Sequence, residues 1–124
     1  MSEGPNAIKA ITVLSFLLMG DDGKGPWMQK AADDLLTVGP VRGENFYFQF
    51  FATYAMFRFG GKAWTDWNAM LRDPLVHAQK SGGENDGSWD PDPQHGPYGG
   101  RVYQTALGAL TLEFYYGVLP VFEK

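Results

Sequence analysis

The chain has 124 residues, 44% hydrophobic and 15% aromatic, with no cysteine and a net charge of −4, which suits one domain with its own core. The missing cysteines exclude disulfides, thiolate metal sites and cysteine nucleophiles. Ten Lys and Arg stand against fourteen Asp and Glu, with no basic block to attract nucleic acid or an anionic membrane surface.

Ile8 to Met19 is apolar but far shorter than the roughly 20 residues a membrane span needs. Glu3 precedes it and Gly20-Asp21-Asp22-Gly23 follows, so we read a core helix of a soluble chain, not a signal segment. Ile8, Ile11, Leu14 or Ser15, and Leu18 recur at helical spacing, with Asn6 as the expected N-cap. Gly20 to Gly25 ends this helix. Pro26 suits the first turn of the next, whose apolar face is Trp27, Met28, Ala31, Ala32, Leu35 and Leu36. Gly39-Pro40 closes it.

Phe46 to Phe59 predicts a third helix, because Tyr47, Phe50, Tyr54 and Phe57 follow 3-4-3 spacing and Gly60-Gly61 resembles a C-cap. Aromatic rings on every side predict burial of most of its faces. Trp64, Trp67 and Leu71 share one face of a fourth helix, and Pro74 is expected to bend or interrupt it. Ser81 to Gly100 reads as a long loop of the kind often tied to function. A fifth helix runs from about Arg101 to Tyr116, with Tyr103, Leu107, Leu110 and Phe114 in register and Pro120 at its exit. The expectation is a single all-α domain, residues 1–124, of five helices in antiparallel hairpins. Leu17 to Trp27 and Leu75 to Trp89 both read helix, Gly/Asp-rich turn, Trp, a faint internal repeat.

The densest chemistry lies at Asp90, Asp92 and His95, near Asp86. Carboxylates and an imidazole at this spacing suit a divalent metal, whose bound water would drive hydrolysis. The plainer reading is a solvated turn whose Asp side chains cap backbone donors. His77, near the end of the fourth helix, is a candidate base or ligand for the same loop, or a residue favoured there by the helix dipole. Arg101 is expected to pair with Asp90 or Asp92 through its planar fork, with an anionic ligand as the minority reading. Tyr47, Tyr54, Trp64, Trp67, Tyr98 and Tyr103 are the candidate ligand-binding rings, against ordinary core packing. There is no Gly-x-Ser-x-Gly nucleophile motif, and Gly20 to Gly25 lacks the ending of a phosphate-binding loop.

Gln79 followed by Gly87-Ser88-Trp89 resembles the QW repeat of the squalene–hopene cyclase and terpenoid cyclase superfamily. Tyr98-Gly99-Gly100-Arg101-Val102-Tyr103, leading into a Thr/Ala/Leu helix, is similar to the last repeat of bacterial prenyltransferase and squalene oxidase repeat proteins. Phe57-Arg58-Phe59-Gly60-Gly61 and Trp64-Thr65-Asp66-Trp67-Asn68 resemble the same group. The resemblance runs from about Ile8 to Pro120 and implies part of an α/α toroid, whose centre in that family is an aromatic funnel. The cyclases' Asp-x-Asp-Asp acid motif is absent, with only Asp90-Pro91-Asp92 in its place, and the prenyltransferases' zinc site needs a cysteine. The chain has fewer hairpins than a complete toroid, so apolar edges should be exposed and covered by self-association as a dimer. We therefore expect a binding or assembly module that holds an apolar small molecule or a partner chain. The alternative is a small metal-assisted hydrolase centred on the Asp90–His95 loop.

Overall fold

A computed structural model of the protein describes residues 4–40, 46–90 and 96–116. Among them are five helices and no strand: α1 (Gly4–Leu18), α2 (Pro26–Val38), α3 (Phe46–Phe59), α4 (Gly61–Ala78) and α5 (Gly96–Tyr116). The all-α expectation holds.

The helices alternate between two layers in chain order. α3 packs on α1 and α5 in one layer, and α2 packs on α4 in the other. Each hairpin spans the layers, through α1 with α2 and α3 with α4. Ala7 and Ala10 on α1 and Ala52 and Ala55 on α3 are completely buried. Such short side chains let helix axes approach closely. α3 has an apolar sequence on every side, and none of its described side chains from Tyr47 to Phe59 is exposed, as a helix without a polar face requires. Phe50, Tyr54 and Phe57 each pack a ring on Phe114 of α5, with centroids 5.1–5.8 Å apart.

A buried polar relay crosses this core. Gln49 Nε2 donates to the Pro40 carbonyl at 2.9 Å, the Thr53 hydroxyl donates to the Gln49 carbonyl at 2.6 Å, and Trp67 Nε1 donates to Thr53 Oγ1 at 2.9 Å. It ties the end of α2 to α3 and α4 and fixes which way the Trp67 indole points.

Four details differ from the sequence expectations. Asn6 lies inside the first turn of α1 and does not cap it. α4 continues through Pro74, which is exposed, so its missing donor is lost on the solvent side and the helix is not interrupted. Trp27 leaves the apolar face of α2 and is half exposed. α5 starts at Gly96, but Gly100 breaks it with φ 60° and ψ −150°, so the long segment begins at Arg101 as its sequence predicts. The link from α3 to α4 is Gly60 alone, at φ 76° and ψ −167°. A side chain would be strained there.

Candidate functional site

The segment after α4 closes on itself. Lys80 N donates to the Ser88 carbonyl at 2.7 Å and Gly87 N to the Lys80 carbonyl at 2.8 Å. Gln79 Nε2 reaches the Gly87 carbonyl at 2.8 Å, and Asp86 accepts from Gly82 N at 2.8 Å. This closure delivers Trp89 into the core, 2% exposed. Its Nε1 donates to the Leu75 carbonyl at 3.0 Å, satisfying an acceptor near the end of α4. Its backbone N–H donates to Thr105 Oγ1 of α5 at 3.1 Å. The indole lies flat enough on α5 that a Cβ on Gly108 would sit 2.7 Å from Trp89 Cε3.

Asp90 leaves this plug for the surface, where its two carboxylate oxygens take different cations. Oδ1 accepts from Arg101 at 2.8 Å, and Oδ2 pairs with Lys80 at 3.0 Å. Arg101 also donates to Ser88 Oγ at 2.8 Å. Lys80 first, then Arg101, hold the Asp90 carboxyl below the usual carboxylate range. Asp90 is therefore engaged as the anchor of a loop, the pairing its sequence position suggests. His77 is exposed on α4. Asp92 and His95 lie outside the described residues, and no group of three His, Asp or Glu among those described is placed to hold a metal.

Four of the six candidate ligand-binding rings are divided among separate packing contacts. Trp67 is fully buried against Phe48 and hydrogen-bonded to Thr53. Tyr47 packs on Phe51, Trp64 on Phe57, and Tyr54 on Phe50 and Phe114. Tyr103 is half-buried on α5, and the side chain of Tyr98 lies outside those described. Tyr47, Tyr54, Trp64, Trp67 and Tyr103 line neither of two clefts on the described surface.

One cleft, of about 430 Å³, lies where α2 meets the α3–α4 junction. Leu36, Phe59 and Ala63 contribute apolar surface, while Lys24, Asp33 and Asp66 contribute charges of both signs. The second, an open cleft of about 530 Å³, lies at the tip of the α1–α2 hairpin between Phe16, Pro26, Trp27 and Met28, with Asp21 at its edge. Phe16 and Trp27 meet edge to face at 5.8 Å.

That second cleft continues onto the outward face of α1. Ala7, Ala10, Val13, Leu14 and Leu17 point into the core. The opposite side carries Ile8, 60% exposed, then Thr12, Ser15 and Met19, 74% exposed, flanked by Phe16 and Leu18. Met19 N donates to the Ser15 carbonyl at 3.1 Å, so the helical path extends to it. The two hydroxyls turn back on their own helix, Thr12 to the Ile8 carbonyl and Ser15 to the Ile11 carbonyl, each at 2.8 Å. Lys9, the single charge between Asn6 and Met19, leans to the side and bridges Asp34 of α2 at 2.8 Å. The result is a three-turn helix face with neither charge nor an unmet side-chain donor. The sequence periodicity sets Ile8, Ile11, Leu14 or Ser15, and Leu18 on one core face, but of these only Leu14 is buried; the side that packs is Ala7, Ala10, Val13, Leu14 and Leu17, and Ile8 and Leu18 face outward. The available signal was the chargeless run from Ala10 to Gly20.

Compared with known proteins, the chain matches no family model, no curated protein and no solved structure.

Proposed function

We propose that this domain is an assembly module, and that the outward face of α1, with the Phe16–Trp27 cleft beside it, holds a partner chain. The observation that carries the reading is the absence of charge on a surface helix face three turns long. A helix apolar all round is normally buried, and contiguous exposed apolar surface on a soluble domain marks an interaction site. The layered hairpins add a second support. Stacks of helical hairpins end in units with a polar outer face, and α1 has none. The same layering is what the resemblance to an α/α toroid fragment implies. A partner chain is favoured over an apolar small molecule because Tyr47, Tyr54, Trp64 and Trp67, four of the rings that would line a ligand funnel, pack on other rings of the domain.

Met19→Glu tests this reading. The residue is largely exposed within the single chain, so the change leaves helix content nearly unaltered. An environment-sensitive apolar dye, titrated at dilutions where the mass is constant, is expected to bind the wild type and to bind the variant weakly. Equal dye binding by the two refutes the proposed face.

A further inference from the structure

We infer that the occupant of the α1 face is the α1 face of a second copy of this chain, packed antiparallel about a two-fold axis between Thr12 and Ser15. The inference rests on the assembly reading above and adds the partner and the register. Two residue pairs on the outward side share one midpoint in the sequence: 8 with 19 and 12 with 15. A two-fold axis at that midpoint sets Ile8 against Met19 of the other copy and Thr12 beside Ser15. Small residues then lie at the centre, where two helices must come closest, and large apolar ones lie at both ends. This is the self-complementarity an isologous contact requires.

The chemistry of the centre agrees. Burying a hydroxyl is costly when its hydrogen bond is lost, but Thr12 and Ser15 already spend theirs on Ile8 and Ile11 carbonyls. Desolvating them leaves no orphan donor. Lys9 is drawn off the face by Asp34, so no like charges meet across the axis. A chargeless face also offers nothing to a partner selected by charge. A stable interface buries about 800 Å² per partner. The exposed parts of Ile8, Phe16, Leu18, Met19 and Trp27 supply on the order of 600 Å², and Ile11, Thr12, Ser15 and Pro26 extend the same surface toward the requirement.

The absence of cysteine makes the register directly testable. Ile8→Cys and Met19→Cys are prepared separately, then mixed and equilibrated in a glutathione buffer. In the inferred dimer residue 8 of one copy adjoins residue 19 of the other, while two copies of residue 8 stand roughly 16 Å apart along the helix, beyond disulfide reach. The mixture should therefore yield several-fold more disulfide dimer than either variant alone. Equal yields from a single variant overturn the antiparallel register. No disulfide dimer from the mixture, with a monomeric wild type, overturns self-association. In that case dye binding that Met19→Glu abolishes leaves the assembly reading standing with a different partner, and dye binding that it does not change removes both.

Discussion

Gly108→Ala is the sharpest probe of the Trp89 plug. In an unobstructed helix interior the change favours folding by about 1 kcal/mol, because alanine loses less backbone freedom than glycine. Here the new methyl would stand 2.7 Å from Trp89 Cε3 and 2.8 Å from Cδ2, closer than carbon atoms tolerate. The indole has no easy retreat. It is rigid and buried, its Nε1 is bonded to the Leu75 carbonyl, and its own backbone N–H is bonded to Thr105. Overpacking at such a site costs about 1–3 kcal/mol, which outweighs the propensity gain. The expected net loss is about 1 kcal/mol, a fall of roughly 3–6 °C in melting temperature for a domain of this size. The assay is thermal unfolding followed by circular dichroism, run as a double-mutant cycle with Trp89→Leu. Without the indole the clash is gone, so Gly108→Ala in that background should stabilise. If the substitution raises the melting temperature equally in both backgrounds, Trp89 does not press on α5 and the account of the plug is wrong.

Thr53→Val should cost about 1–3 kcal/mol in urea unfolding, because it leaves the buried Trp67 Nε1 without its acceptor; a loss under about half a kcal/mol would show the relay to be incidental. Asp34 is held below the usual carboxylate range by Lys9 and then Lys30, and Asp90 by Lys80 and then Arg101. A depressed carboxylate contributes stability that is fully present above its unfolded value, near pH 4, and is lost as pH falls through its lower folded value. Both groups are exposed enough for salt to weaken the effect. The variant carrying Asp34→Asn and Asp90→Asn should therefore lose less melting temperature than the wild type between pH 4 and pH 2, and an unchanged acid slope would contradict the pairing.

Much of the fold was legible because periodicity and punctuation agreed. The 3-4-3 ring spacing of α3, Pro26 at the start of α2 and the glycines around residue 60 all act locally, and local rules place them correctly. Arg101 was readable as a loop anchor because an arginine at a helix start faces whatever acids precede it, and Asp90 is there. What periodicity does not carry is direction relative to distant elements. Trp27 reads as a core residue of α2, yet it turns outward to meet Phe16. The Thr53–Trp67 bond joins residues 14 apart in the sequence on two different helices, and the fit of Trp89 to Gly108 depends on the helix pairing itself. The α1 face escaped notice for a related reason. An apolar residue is assigned to a core by default, and the two hydroxyls that interrupt the pattern hide their polarity only in the folded helix.

Sedimentation equilibrium of the wild type and of Met19→Glu, over a range of concentrations, shows whether the outward face of α1 carries self-association. Dimerisation through α1 requires a wild-type species of twice the 13.8 kDa chain mass that dissociates on dilution, and a Met19→Glu variant that stays monomeric with the same helix content. A wild type that remains at the mass of one chain throughout, or a variant that associates as strongly as the wild type, would contradict it.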